Sequence, residues 1–158
     1  MRPISDFDYI IIGAGSAGCV LADRLSSSGK FKVLLIEAGP TDNRFWVKTP
    51  IGYGMTFHDE TINWAYHTVP ETGLGNRELY WPRGKILGGS SSINALVYHH
   101  GQPADYDDWA AAGNPGWDYH AVKPVYDGFE DIIRTDTHPV SMGKLTVSDV
   151  ADEYHPLK

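Results

Sequence analysis

Two apolar runs frame the first part of the chain. Tyr9–Ile12 and Val33–Ile36 are continuous apolar stretches, the pattern of strands buried on both faces of a parallel sheet. Between the runs, apolar residues recur at steps of three and four, which is the spacing of one helical face. These residues are Ala17, Val20, Leu21 and Leu25. The pattern therefore predicts a strand, a helix and a second strand, in that order.

Glycines stand where the first strand turns into the helix. Gly13, Gly15 and Gly18 have the spacing of a dinucleotide-binding turn. In such a turn the first glycine permits the tight bend, the second lets a pyrophosphate approach the backbone, and the third lets helix and strand pack closely. Glu37 follows the second strand and can accept hydrogen bonds from a ribose diol. An acid at this position argues against NADP and leaves flavin and nicotinamide dinucleotides open.

A second glycine cluster occupies residues 84–94, where Gly88 and Gly89 precede three serines. The glycines and hydroxyls could form another backbone cradle for an anion, and residues 90–92 are suited to starting a helix. A packing turn of small residues is the alternative. The residues alone leave both interpretations open.

The later part of the chain has helical and extended patterns. Residues 103–131 are predicted to be helical, with Pro103 and the acids after it in a first turn. Pro124 is expected to begin a fresh helical segment, because its ring cannot continue one. Residues 144–148 alternate like a strand.

Composition limits the classes of function. Of the 158 residues, 13 are Lys or Arg and 20 are Asp or Glu, so the formal charge is −7. An acidic chain lacks the basic surface typical of proteins that bind nucleic acid or anionic membranes. No apolar run approaches the roughly 20 residues of a transmembrane helix, and the start does not resemble a secretory signal. A single cysteine, Cys19, excludes an internal disulfide and a thiolate metal site. We expect a soluble, cytoplasmic protein.

Two further features are expected to be structural. His99 and His100 are adjacent, so their side chains point in different directions, and no acid or third ligand stands at metal spacing. We expect neither a metal site nor a catalytic role for them. Cys19 is expected to pack against the sheet.

Beyond these patterns, the chain resembles a known family over nearly its whole length. The run 84–94, continued by Tyr98, Gly101 and Asp107, is similar to the first signature of the glucose–methanol–choline (GMC) oxidoreductases. The residues around the first glycine turn, residues 35–39, 63–66 and 81–85, Trp109, and Gly116 with Trp117 resemble the same family. The similarity is greatest to its choline-dehydrogenase-like and alcohol dehydrogenase branch, and it covers the family's N-terminal portion.

The resemblance implies an α/β fold of the FAD/NAD-linked Rossmann type with a parallel sheet. Residues 1–38 would form the βαβ dinucleotide-binding unit. Residues 39–131 would form the remainder of the N-terminal FAD-binding region, including the glycine-serine signature. Residues 132–158 would start an antiparallel substrate-binding domain.

The resemblance also implies a site for FAD. Gly13, Gly15, Ser16 and Ala17, next to Gly18, would contact the pyrophosphate, and Glu37 would hold the adenosine ribose. Ala38 and Trp64 would lie near the adenine. The middle of the cofactor would be lined by Arg83, Gly84, Leu87, Gly89 and Ser90. The isoalloxazine would be approached by Asn94, Ala95, Leu96 and Val97.

The implied activity is oxidation of an alcohol to a carbonyl compound, with hydride passing to the flavin. Some relatives carry FAD on a histidine at the position of Asn94; an asparagine there implies non-covalent FAD. The family's catalytic histidine lies in later sequence, so we expect this chain alone to be inactive and to need the remaining C-terminal polypeptide. Two alternatives are a flavin-containing hydroxynitrile lyase of the same family and an NAD-binding module.

Overall fold

The computed structural model describes residue 3, residues 6–133 and residues 145–148. The chain divides into two units, residues 1–97 and residues 98–158, which we call the N-terminal unit and the C-terminal unit. The predicted domain boundaries at residues 38 and 131 stay predictions. Within the described part of the chain, no helix has the length and apolar character needed to cross a membrane.

The N-terminal unit opens with the strand–helix–strand arrangement that the pattern predicts. Strand β1 covers Tyr9–Ile12, helix α1 covers Ser16–Ser26, and strand β2 covers Val33–Ile36. The two strands pair in parallel, with Tyr9 opposite Val33. The predicted α/β fold with parallel strands is therefore confirmed.

The strands are less buried than their apolar runs predict. Ile12 is 86% exposed and Ile10 is 45% exposed, and Val20 and Leu21 of α1 are also more than half exposed. Burial on both faces is thus wrong for the residues that the structure describes. The reason is that β1 and β2 form a two-stranded sheet, and α1 covers only part of its surface.

The rest of the N-terminal unit consists of short elements around a small apolar core. Ile62, Ile86 and Ile93 are almost completely buried, and Val47 packs against them. The backbone N–H of Lys85 donates to the carbonyl of Ile62 at 2.7 Å, which joins the segments that supply the core. The elements are α2 (Phe45–Lys48), a 3-10 turn (Pro50–Gly52), α3 (Tyr53–Thr56), β3 (Tyr66–His67), a 3-10 turn (Thr72–Leu74), β4 (Tyr80–Trp81) antiparallel to β3, and a 3-10 turn (Gly89–Ser92).

The C-terminal unit begins with two helices. Helix α4 covers Pro103–Ala111 and starts at the predicted proline. Helix α5 covers Tyr119–Asp127, and the Asp118 carboxylate caps it by accepting a hydrogen bond from the N–H of Ala121 at 3.0 Å. Such a cap satisfies a backbone donor that has no partner within the helix.

Pro124 does not start a helical segment. It lies inside α5, which begins five residues earlier, so this prediction is wrong. Proline removes one backbone donor from the helix. The helix continues past it because Asp118 fixes the start and the N–H of Gly128 donates to the Pro124 carbonyl at 3.1 Å.

Two strands follow the helices. Strand β5 covers Glu130–Ile133 and strand β6 covers Leu145–Ser148, so the strand predicted near residue 145 is confirmed. They pair in parallel, with Glu130 opposite Leu145. The mainly antiparallel domain expected from residue 132 onward therefore does not begin with this pair, and its sheet stays a prediction.

Candidate dinucleotide-binding site

A cavity of about 490 Å³ opens at the carboxyl ends of β1 and β2. In α/β folds this edge of a parallel sheet is where ligands bind. Its walls come from both strand ends, both glycine clusters and the segment around residue 64. The lining residues are Ile12, Gly13, Gly15, Ile36, Glu37, Ala38, Trp64, Tyr66, Arg83, Gly84, Gly89 and Ser90.

The first glycine cluster forms a tight turn between β1 and α1. Gly13 has a φ of +95°, and its N–H donates to the carbonyl of Ile36 at 2.7 Å. A Cβ atom on Gly18 would lie 1.9 Å from the Gly13 carbonyl oxygen, so only glycine fits there. Gly15 stands at the start of α1 and supplies no side-chain cap. The first N–H groups of this helix are therefore suited to an anionic ligand.

The second glycine cluster packs directly on the first. The N–H of Gly88 donates to the carbonyl of Ala14 at 2.7 Å. A Cβ atom on Gly89 would lie 2.8 Å from the Cα of Gly15, and one on Gly84 would lie 2.2 Å from the Gly89 carbonyl carbon. The cluster is thus a packing turn, one of the two interpretations that the residues allow, and it also forms a wall of the cavity.

Glu37 connects the first glycine turn to the segment that follows β2. Its Oε2 accepts a hydrogen bond from the N–H of Ala14 at 2.8 Å, and its Oε1 accepts one from the N–H of Gly39 at 2.9 Å. Each carboxylate oxygen has capacity for a further hydrogen bond. The acid is therefore both a brace for the glycine turn and an acceptor beside the cavity.

Two aromatic rings form another wall. The rings of Trp64 and Tyr66 are nearly parallel, with centroids 6.0 Å apart and an interplanar angle of 4°. Ala65 between them has a φ of +49°, a costly conformation for a residue with a Cβ atom. The buried Asn63 holds this turn, because its Oδ1 accepts from the N–H of Ala65 at 3.0 Å and from the N–H of Arg83 at 2.9 Å.

Two cations rest on aromatic rings in the same region. The Arg83 guanidinium lies 5.2 Å from the ring centroid of Trp81, and the Lys85 ammonium lies 4.9 Å from that of Trp64. Such contacts hold a cation in place while leaving it exposed. Arg83 lines the cavity itself, so it provides positive charge for an anionic ligand.

The predicted site residues fall into two groups. Nine of them line the main cavity: Gly13, Gly15, Glu37, Ala38, Trp64, Arg83, Gly84, Gly89 and Ser90. Eight lie outside its lining: Ser16, Ala17, Gly18, Leu87, Asn94, Ala95, Leu96 and Val97. Asn94 and Leu96 line a second cavity of about 60 Å³ together with Trp46 and Tyr53.

Three lining residues are absent from the sequence predictions. Ile12 and Ile36 are the last residues of β1 and β2, and Tyr66 follows Trp64 by two positions. The two isoleucines could have been predicted as lining residues from their position at the carboxyl ends of parallel strands, where ligands bind. Tyr66 stands in the segment 63–66 that resembles the family, but the resemblance gave it no role. Its ring lies parallel to that of Trp64, and the residue between them, Ala65, has a positive φ.

Cys19 does not pack against the sheet as predicted. It is exposed, and its thiol donates to the carbonyl of Ala14 at 3.3 Å. The first turn of α1 places the thiol beside the turn that follows β1, because only three residues separate α1 from that strand.

Comparison with known proteins agrees with this architecture. Over 128 residues, the chain is 48% identical to an oxygen-dependent choline dehydrogenase of Photobacterium profundum, covering 81% of this chain and 22% of that protein. Over 148 residues, it is 45% identical to an alcohol dehydrogenase [acceptor] of Pseudomonas putida, covering 92% of this chain and 27% of that protein. The chain thus spans about a quarter of the length of these relatives.

A solved structure shares the fold. Pyridoxine 4-oxidase from Mesorbium loti superposes with a TM-score of 0.84 at 34% sequence identity, over 95% of this chain and 30% of that one. Residues 7–158 match the family described as GMC oxidoreductase, which confirms the predicted resemblance. Taken with the parallel strands and the paired glycine turns, this match means that the chain belongs to the GMC oxidoreductase family.

Proposed function

We propose that this chain is the FAD-binding N-terminal part of a flavoprotein that oxidises an alcohol to a carbonyl compound. The observation that carries the proposal is the meeting of two glycine clusters, through Gly15 and Gly89, at a cavity beside the ends of β1 and β2. The relatives named as an alcohol dehydrogenase and a choline dehydrogenase support the class of reaction.

The residues around the cavity fit an adenine dinucleotide. Its pyrophosphate is anionic, and the start of α1 offers backbone N–H groups without a side-chain cap, while Arg83 adds a cation. Glu37 can accept hydrogen bonds from a ribose, and a carboxylate at this position would repel a 2′-phosphate. Trp64 and Tyr66 offer apolar ring surface for the adenine end.

The chain's own groups have distinct tasks in this proposal. Gly13, Gly15, Ser16 and Ala17, with Gly18 behind them, hold the pyrophosphate by backbone N–H groups. Arg83, Gly84, Leu87, Gly89 and Ser90 would line the middle of the cofactor, and residues 94–97 would approach the isoalloxazine. When bound, the flavin supplies the acceptor for the hydride that leaves the alcohol carbon.

We propose that the flavin is held without a covalent bond. Asn94 carries an amide in place of a nucleophilic imidazole, and its Oδ1 accepts a hydrogen bond from the N–H of Leu96 at 3.0 Å. Leu96 itself has a φ of +60°, which costs energy for a branched side chain. The Asn94 bond therefore helps to fix a strained turn where the isoalloxazine would lie.

The proposed reaction also needs residues from outside this chain. Alcohol oxidation requires a base within hydrogen-bond reach of the hydroxyl. No residue that lines the main cavity is a histidine or a lysine. We propose that the base and most of the alcohol-binding surface come from sequence beyond residue 158.

A cytoplasmic location is proposed on composition alone.

The test uses the complete polypeptide that contains this chain. It is purified and its absorbance spectrum recorded, and flavin bleaching is followed without oxygen as primary and secondary alcohols are added. We expect a flavin spectrum and alcohol-dependent bleaching. Cleavage of a cyanohydrin without bleaching would favour the hydroxynitrile lyase alternative. Binding of NAD with no flavin spectrum would favour the nicotinamide alternative.

A further inference from the structure

The C-terminal unit buries a carboxylate at the start of β5. Glu130 is 4% exposed. Its Oε1 accepts a hydrogen bond from the Tyr98 hydroxyl and lies 2.7 Å from Nε2 of His100. The proposed flavin site uses none of these three side chains. The acid that pairs with His100 lies 30 residues along the chain, where sequence spacing gives no sign of it.

Aromatic side chains surround this pair. The His100 ring lies 4.2 Å from the ring of Tyr126 on α5 and 5.5 Å from that of Tyr98. The Tyr126 hydroxyl is 3.1 Å from that of Tyr106 on α4. Burial, followed by the hydrogen bond to Glu130, raises the pKa of Tyr98. The hydrogen bond with Tyr106, followed by burial, raises the pKa of Tyr126. Both phenols therefore stay neutral well above neutral pH.

Charged groups also stand on the neighbouring elements: Asp105, Asp107 and Asp108 on α4, and others on α5 and β5. Lys123 and Asp127 of α5 form an ion pair with each other at 2.5 Å. The hydrogen bond to Asp127 raises the pKa of Lys123, and the charge of Glu130 adds to this effect. Asp131 follows Glu130 in β5. The imidazole of His100 lies in direct contact with Glu130, and histidine is the side-chain type that serves as a switch near physiological pH.

We propose that His100 and Glu130 form a proton-operated latch that fastens residues 98–101 to β5. A buried carboxylate is costly unless a charged partner and hydrogen bonds offset its lost hydration. With His100 protonated, the pair is an ion pair across two segments of the unit. With His100 neutral, the same contact is only a hydrogen bond. Protonation of the imidazole therefore strengthens the contact between residues 98–101 and β5, and loss of that proton weakens it. This inference does not depend on the flavin site.

The experiment measures hydrogen exchange of the β5 amides in the complete polypeptide that contains this chain, at pH 5.5, 6.5, 7.5 and 8.5. Wild type is compared with His100→Arg, which keeps a cation at every pH, and with His100→Gln, which keeps a hydrogen-bonding side chain without the charge. All variants are compared at the same pH, so the intrinsic pH dependence of exchange cancels. The matched control is His99→Gln, because His99 is the exposed neighbour.

At pH 5.5 we expect His100→Gln to exchange about fivefold faster than wild type, the size of a modest, partly exposed ion pair. This gap should close by pH 8.5. Between pH 5.5 and 8.5, the β5 amides of wild type should become about fivefold faster to exchange relative to those of His100→Arg. His99→Gln should follow wild type throughout. A gap between wild type and His100→Gln that is the same at every pH would overturn the proposal, and so would an equal effect of His99→Gln. If His100→Arg does not fold, the comparison with His100→Gln decides alone.

Discussion

The Cα atom of Gly15 stands so close to Gly89 that a Cβ atom on Gly89 would lie 2.8 Å away from it. Two glycine clusters from distant parts of the sequence thus meet backbone against backbone. The N–H of Gly88 reinforces the approach by donating to Ala14. The dinucleotide turn is therefore shaped by residues outside the βαβ unit.

Substituting Gly89 tests this contact. We expect Gly89→Ala to lower FAD affinity at least tenfold, because a methyl group in a close-packed contact costs about 1–3 kcal/mol and the φ of +61° adds about 1–2 kcal/mol. The measurement is FAD titration of the complete apoprotein. The control is Gly54→Ala, where an added Cβ meets nothing within 4 Å. Equal affinity of Gly89→Ala and Gly54→Ala would contradict the prediction.

Replacing Glu37 tests the proposed ribose acceptor. A hydrogen bond to a charged group is worth about 1.5–3 kcal/mol, so Glu37→Ala should weaken FAD binding roughly ten- to a hundredfold. The N–H groups of Ala14 and Gly39 also lose their acceptor, so the variant should release flavin at a lower temperature. Glu78→Ala removes an exposed acid elsewhere and serves as the control. A folded Glu37→Ala protein with unchanged FAD affinity would refute the ribose contact.

The proposed non-covalent retention of the flavin leads to a test of its release. Because Asn94 offers no nucleophilic ring nitrogen, acid or heat should release all of the flavin into solution. The measurement is the absorbance of the supernatant and of the washed, denatured protein. Yellow colour that stays with the washed protein would show a covalent bond and disprove the prediction.

The 158-residue chain is expected to be inactive and poorly behaved on its own. Exposed apolar residues on β1, β2 and α1, such as Ile12 and Val20, favour association. The assay loads the chain with FAD, adds alcohols without oxygen, and measures molar mass by light scattering. The remaining polypeptide should restore both activity and a defined size. Rapid substrate-dependent bleaching by the chain alone would argue instead for a base within it, with His99 and His100 as the first candidates.

The phenol of Tyr98 gives a prediction at alkaline pH. Its folded-state pKa is raised by burial and by Glu130, so the folded state holds its proton longer than the unfolded state does. The resulting stabilisation is present below the ordinary tyrosine pKa of about 10 and is lost as the pH rises above it. Absorbance titration near 295 nm should show late-titrating tyrosines, and Tyr98→Phe should remove one of them. If the absorbance change that Tyr98→Phe removes lies in the ordinary tyrosine range of about pH 10, the assignment is contradicted.

Local patterns were sufficient to predict the βαβ unit and its glycine turn. Their signals are periodicity and glycine spacing, and both act within a few residues of the chain. The burial of β1 was mispredicted because an apolar run indicates that a face needs covering, whereas exposure depends on which elements lie against it. The stacking of Tyr66 on Trp64 and the pairing of His100 with Glu130 depend on tertiary contacts, so sequence spacing carried no signal for them.

The hydrogen bond between Gly88 and Ala14 also bears on how the protein folds. It closes a loop of about 70 residues, and such a closure costs chain entropy before any contact compensates for it. The βαβ unit can form early from local contacts, but its cavity lacks a wall until the later segment arrives. A dinucleotide that binds only the completed cavity would stabilise that late contact by mass action. Supply of cofactor would then govern how much of the newly made chain reaches the folded state.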